Sequence, residues 1–85
     1  MDKLKNLRKK SGLSRPKLCA KAGLSPRLLE GYEQELRDIN GAKLATLLKL
    51  CLTLDCPLRD LLTSPETLEL LQTYEERFYP DLGKK

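Results

Sequence analysis

Apolar residues recur every three or four positions along most of the chain, and this spacing is the period of an α-helix. A strict alternation of apolar and polar residues, which is typical of strands, does not occur in the sequence. The pattern therefore predicts an all-α fold. The predicted helices cover residues 2–10, 15–22 and 26–34, a longer stretch after Gly41, a short fifth stretch opened by Pro57, and residues 65–78.

Three of the predicted helices begin with the same signal, a serine followed by a proline. The pairs are Ser14 with Pro16, Ser25 with Pro26, and Ser64 with Pro65. A serine hydroxyl accepts a hydrogen bond from a free N–H of the first helical turn, and proline is tolerated there because its missing N–H has no helical partner. Gly12 and Gly23 follow the first two helices, where a left-handed residue ends a helix well.

Each predicted helix carries apolar residues at helical spacing, and we expect these residues to form one core. The sets are Leu4 and Leu7; Leu18, Cys19 and Ala22; Leu29 and Tyr32; Leu44, Leu47, Leu48, Cys51 and Leu54; and Leu58, Leu61 and Leu62. The 85 residues are enough for one domain with a modest core.

The composition argues against an enzyme or a metalloprotein. The chain has no histidine, which removes the commonest general base and a common metal ligand. Its three cysteines are an odd number, and Cys19 and Cys51 fall on apolar faces, where cysteine packs as a small hydrophobe. We therefore expect no catalytic residue, no metal site and no cofactor. No apolar run is long enough for a membrane span or a signal segment, so we expect a cytoplasmic location.

Charge is distributed unevenly along the chain. Residues 1–27 contain nine basic residues and one acidic residue, a formal charge of +8, whereas residues 28–85 contain seven basic and eleven acidic residues, a formal charge of −4. A basic half on a small helical chain is typical of a protein that binds a polyanion such as double-stranded DNA. A solvated surface without a partner explains the charge equally well.

Residues 12–33 predict two short helices joined by the tight turn Ala22-Gly23-Leu24-Ser25. Gly23 allows the chain to reverse, Leu24 points into the core, and Ser25 caps the next helix. A short and rigid turn of this kind holds the second helix at a fixed angle, which is the physical requirement of a helix-turn-helix.

The ordered set of residues resembles the phage Cro/repressor-like (XRE-type) helix-turn-helix family over about residues 3–62. The resemblance is carried by Leu4-Lys5-Asn6-Leu7-Arg8, Gly12-Leu13-Ser14, Leu18, Ala22-Gly23-Leu24-Ser25, Leu29, Tyr32-Glu33, Leu47-Leu48-Lys49-Leu50 and Leu61-Leu62. It implies a compact five-helix repressor-like domain over residues 1–63, whose third helix (residues 26–34) reads a DNA major groove. The implied function is a transcriptional regulator of the phage or mobile-element repressor type. Residues 64–85 form a C-terminal helix and tail beyond that domain.

The resemblance also implies roles for individual residues. Arg27 and Leu28 are expected to meet base edges, the arginine at a guanine and the leucine at a thymine methyl group. The residues expected to contact phosphates are Arg15, Lys17, Ser25 and Arg37. Arg8 and Glu33 stand where the family pairs an arginine of the first helix with a glutamate that ends the third, so a structural ion pair is expected there.

The chain departs from the family pattern around the third helix. Pro26 and Gly31 have no side-chain donor, and Glu35 and Leu36 stand where the family usually has a glycine and a lysine. These departures leave a second function open, in which the fold serves as a protein-interaction module such as an antitoxin or a phage-encoded inhibitor.

The last predicted helix carries Leu68, Leu71, Tyr74 and Phe78 at helical spacing. An apolar stripe of this kind must be covered by something. In one interpretation residues 65–78 form the contact of a homodimer, which supplies the second half-site reader that a single module lacks. In the other, the stripe folds back onto the same domain. The sequence favours neither.

Overall fold

Residues 3–80, the part of the chain that the computed structural model describes, form a helical domain with five α-helices and no strand. The helices are α1 (Lys3–Lys10), α2 (Arg15–Ala22), α3 (Pro26–Glu33), α4 (Leu44–Leu54) and α5 (Pro65–Phe78), with single 3-10 turns at Ile39–Gly41 and Leu58–Asp60. The all-α prediction is confirmed. Asp2, predicted to begin the first helix, lies outside the described residues.

The predicted serine caps are confirmed at the starts of α2, α3 and α5. The hydroxyls of Ser14, Ser25 and Ser64 each accept a hydrogen bond from the backbone N–H three residues later. Gly23 ends α2 with a φ of 70°, a left-handed conformation that glycine adopts without steric cost. The local sequence therefore determines where these helices begin, and where α2 ends.

The core is built mainly from leucines. Leu18, Leu29, Leu50 and Leu61 are fully buried, and they come from α2, α3, α4 and the segment before α5. Burying one such side chain stabilises the fold by about 1.5–3 kcal/mol. Leu4 of α1 is 3% exposed and belongs to the same core, so leucines hold the first four helices and the Leu58–Asp60 turn together.

The predicted inner face of α4 is wrong in part. Leu44 and Leu48 were expected to point inward, yet they are 62% and 46% exposed, whereas Leu50 is fully buried. The buried residues of α4 are Leu47, Leu50, Cys51 and Leu54. Leucines surround this helix on several sides, so periodicity alone does not distinguish the face that packs against α2.

The predicted fifth helix is a single 3-10 turn, Leu58–Asp60. An α-helix through this segment would need the N–H groups of Thr63 and Ser64 to bond carbonyls four residues earlier. Both N–H groups instead donate to Asn40 Oδ1, at 2.9 and 3.0 Å. The carbonyl of Arg59 accepts from the Lys3 ammonium at 3.1 Å. These tertiary hydrogen bonds use the backbone N–H and carbonyl groups that an α-helix through this segment would need.

Helix α5 is attached to the rest of the domain by one half of its apolar stripe. Leu68 and Leu71 pack against the core, and Arg59 forms an ion pair with Glu75. Tyr74 and Phe78 remain 50% and 58% exposed. No helix within residues 3–80 combines the length and the apolarity that a membrane crossing requires.

Candidate nucleic-acid interface

The turn between α2 and α3 fixes the direction of α3. The N–H groups of Gly23 and Leu24 both donate to the carbonyl of Cys19 at the end of α2. Leu24 packs against the core, and Ser25 Oγ accepts from the N–H of Leu28 at 3.1 Å. Every residue of the turn therefore has a backbone, packing or capping role, which makes the connection rigid.

A buried carboxylate ties α3 to α1 and α2. Arg8 donates to Glu33 twice, from Nε to Oε2 at 2.6 Å and from Nη2 to Oε1 at 3.2 Å. Arg15 Nε also donates to Glu33 Oε1, at 3.0 Å. The Glu33 side chain is only 1% exposed, and a buried charge needs such partners to offset its lost hydration. Arg8 Nη1 donates to the carbonyl of Leu13 at 3.0 Å.

The part that Arg15 takes in this cluster was missed by the sequence analysis. Arg15 was expected only as a phosphate contact, and its side chain is 41% exposed while its Nε is held by Glu33. Because Arg15 and Glu33 are 18 residues apart, no local spacing links them. A guanidinium has five donors, so one bond to Glu33 orients the group and leaves others for a ligand.

The predicted base-contacting residues lie at the start of α3. Arg27 is exposed, and Leu28 is half-buried. Lys17 is exposed in the first turn of α2, and its backbone N–H donates to Ser14 Oγ at 3.3 Å. Ser25 is exposed too, and its hydroxyl oxygen caps α3. These groups come from the beginnings of two helices, where free N–H groups and the helix dipole favour anions.

One acidic side chain shares the exposed surface of α3. Glu30 is exposed, and its Oε2 accepts from Gln34 Nε2 at 3.2 Å. This hydrogen bond draws the carboxylate toward the C-terminal end of the helix, away from Arg27. The start of α3 consequently keeps a positive side chain next to its free N–H groups.

The loop after α3 folds back over that helix. The N–H of Leu36 donates to the carbonyl of Gly31 at 2.8 Å and that of Glu35 to the carbonyl of Tyr32 at 3.2 Å, which is the bond pattern of a Schellman cap. Glu35 occupies the left-handed position of this cap with a φ of 60°. The N–H of Arg37 also reaches the Gly31 carbonyl, at 3.1 Å. The exposed Arg37 is therefore anchored beside α3.

The cysteines are free thiols with raised pKa values. Burial, reinforced by the adjacent Cys56 thiol, raises the pKa of Cys51 to about 12. Burial also raises the pKa values of Cys19 and Cys56. Because the thiolate is the reactive form, thiols that stay protonated at neutral pH are poor nucleophiles. These side chains serve packing.

Comparison with protein-family models identifies the arrangement. The model described as a Cro/C1-type HTH DNA-binding domain matches residues 3–66, about three quarters of the chain. The match runs from α1 to the first turn of α5 and confirms the resemblance inferred from the sequence. The comparison with curated proteins and the comparison with solved structures each found no significant match.

Proposed function

Because the chain belongs to the Cro/C1-type helix-turn-helix DNA-binding domain family, we propose that it is a transcriptional regulator of the phage or mobile-element repressor type. In this proposal α3 enters the major groove of duplex DNA. The protein acts in the cytoplasm. The regulator has no catalytic step, so its effect depends on occupying a DNA site.

The observation that carries the proposal is an exposed Arg27 at the start of a helix whose direction is fixed at both ends. The turn through Ser25 holds one end of α3, and the buried Glu33 holds the other. Arginine bonds guanine through two parallel donors in the major groove. A helix that cannot swing presents such a side chain at a constant depth and angle, which base reading requires.

Phosphate contacts in this proposal come from Arg15, Lys17, Arg37 and the Ser25 hydroxyl. The three basic side chains are wholly or partly exposed, and none is consumed entirely by contacts inside the protein. Phosphate contacts supply most of the non-specific affinity and set the register of the protein on the duplex. Leu28 adds an apolar contact for a thymine methyl group beside Arg27.

We further propose that two copies bind together through α5. Leu70, Tyr74 and Phe78 follow one another at four-residue spacing on this helix and are 65%, 50% and 58% exposed. The ring centroids of Tyr74 and Phe78 lie 5.0 Å apart. One small module covers only a half-site, so a symmetric pair is the usual way to gain affinity and specificity.

A protein-interaction module, such as an antitoxin or a phage-encoded inhibitor, is the second candidate. It is favoured by an apolar surface on α4, where Leu44, Leu48 and Leu52 lie at four-residue spacing and are 62%, 46% and 83% exposed. Contiguous exposed apolar residues of this kind are typical of protein contacts. In this second function the basic N-terminal half would serve solubility or an acidic protein partner.

Selection of bound duplexes from a random pool distinguishes the two functions. A regulator of this type enriches a short guanine-containing half-site, repeated with two-fold symmetry about one helical turn away. A pool that shows no enrichment after several rounds contradicts the regulator and favours the protein-interaction module.

A further inference from the structure

Gly31 lies in the middle of α3 and is buried, although the neighbouring Glu30 and the preceding Arg27 are exposed. The side chain of Arg37 covers it. A Cβ atom built on Gly31 would lie 2.9 Å from Arg37 Cδ and 3.2 Å from both Cγ and Nε. A side chain at position 31 would therefore require the Arg37 side chain to shift.

The position of Gly31 on α3 determines where Arg37 is carried. Residues four apart on a helix share one face, so Gly31 lies one turn beyond Arg27 on the same face. Arg37 approaches that face from the Schellman cap, anchored by the hydrogen bond from its own N–H to the Gly31 carbonyl. Its aliphatic stem and Nε then lie against the glycine.

We propose that Gly31 is a positioning residue, which keeps α3 free of a side chain so that Arg37 lies across it and contacts a DNA phosphate next to the groove that Arg27 enters. This inference rests on the function proposed above. Its new content is that the glycine, which offers no group to DNA, sets the strength of a phosphate contact through Arg37.

The physical basis is preorganisation. A free arginine side chain loses much rotamer freedom when it binds a phosphate. A stem already held between the loop and α3 loses less, so the same ionic contact contributes more to affinity. Glycine inside a helix is destabilising relative to alanine, and the packing of Arg37 against Gly31 offsets part of that loss.

The test compares four variants of the full chain with the wild type: Gly31→Ala, Arg37→Ala, the double variant, and Gly41→Ala as the matched control. A Cβ on Gly41 meets nothing within 4 Å, and its φ is not in the left-handed range. Binding to a random-sequence duplex is measured over a series of salt concentrations. Thermal melting of each variant is measured in parallel.

Loss of one phosphate contact makes the slope of log affinity against log salt shallower by about 0.9 per copy and weakens binding about five- to tenfold at 0.1 M salt. We expect both changes for Arg37→Ala. Gly31→Ala should weaken binding by most of the same factor with a smaller change in slope, because the ionic contact still forms but is no longer preorganised. Gly31→Ala should add nothing in the Arg37→Ala background, and Gly41→Ala should bind as the wild type does. If Gly31→Ala melts early, the double variant should restore the melting temperature because the crowding is gone.

Three results overturn the inference. Wild-type affinity in Gly31→Ala shows that the glycine does not position Arg37. Equal losses from Gly31→Ala in the presence and absence of Arg37 show that it acts on α3 itself. A wild-type slope in Arg37→Ala shows that Arg37 does not contact a phosphate. A wild-type chain without salt-dependent binding defeats the proposed function as well, so the two failures are distinguishable.

Discussion

Arg15 Nε donates to Glu33 Oε1 over 3.0 Å, so a carboxylate that is already held by Arg8 serves a second arginine. The first arginine is buried and the second is partly exposed. One buried charge thus stabilises the packing of α1 against α3 and, at the same time, orients a cation at the surface of α2. Glu33 therefore links the packing of the fold to a residue that we propose as a phosphate contact.

The buried pair should show strong energetic coupling. We expect Glu33→Gln to lower the free energy of unfolding by about 3 kcal/mol, because it leaves the buried Arg8 without its counter-charge, and Arg8→Met to lower it by less, because Glu33 keeps Arg15. The Arg8→Met/Glu33→Gln double variant should lose less than either single variant. Urea unfolding of the four proteins measures this.

Arg15 should make the two single variants differ in stability. When Arg8 is replaced, Glu33 keeps Arg15, whereas replacing Glu33 leaves the buried Arg8 without a carboxylate. Glu33→Gln should therefore be the more destabilising single change. Losses that simply add in the double variant would mean that Arg8 and Glu33 do not stabilise each other.

Arg15→Ala should weaken DNA binding without destabilising the fold. Glu33 keeps both of its bonds from the buried Arg8 when Arg15 is replaced, so the melting temperature should change little. The salt slope for duplex DNA should become shallower by about 0.9 per copy. Arg77→Ala, on α5, is the matched control and should keep the wild-type slope. Identical slopes for the two variants would exclude Arg15 as a phosphate contact.

Arg27 should carry base specificity. Arg27→Ala should cost about 1–3 kcal/mol on the selected site, because a bidentate arginine–guanine contact is lost, and much less on random duplex. Arg27→Lys should recover part of the affinity but not the preference for guanine. Competition binding with the two duplexes measures both. An equal loss on both duplexes would make Arg27 a phosphate contact only.

Self-association should depend on the exposed residues of α5. Tyr74→Asp places a charge at the centre of the stripe that includes Leu70 and Phe78, so we expect a loss of dimer with little change in melting temperature. The packed Leu68 and Leu71 are left intact, which deletion of the helix would not achieve. Gln72→Asp on the same helix is the control. Sedimentation equilibrium of the full chain measures the effect.

A wild-type chain that remains monomeric at high micromolar concentration would contradict a dimer through α5. Dissociation by Tyr74→Asp and Gln72→Asp alike would show that charge on α5, rather than the stripe, governs assembly. The exposed leucines of α4 would then be the next surface to test, starting from Leu52.

The sequence predicts the elements of this fold better than their contacts. The serine–proline starts of α2, α3 and α5 are local signals, and each cap forms as expected. The end of the domain was not predictable in this way. Asn40 withdraws the Thr63 and Ser64 N–H groups from helix formation, and this contact joins residues more than 20 positions apart.

Two residues that looked unfavourable in the sequence have structural explanations. Glu35 takes the left-handed position of the cap after α3, where the family usually has glycine, because the bonds of Leu36 and Arg37 to Gly31 hold the loop there. Gly31 has no side chain because Arg37 occupies its space. Neither reason is visible from residue type, since both depend on where the loop returns.

The most direct test of the central claim is the salt dependence of binding between the full chain and a short random-sequence duplex. On a random-sequence duplex the four basic side chains Arg15, Lys17, Arg27 and Arg37 together should neutralise about four phosphates, which predicts a slope of log affinity against log salt near −3.6 for each copy bound. Fluorescence anisotropy from about 50 to about 200 mM salt covers the range in which such binding weakens steeply. A steep slope of this size supports a DNA-binding regulator. An affinity that stays flat across that range would contradict it.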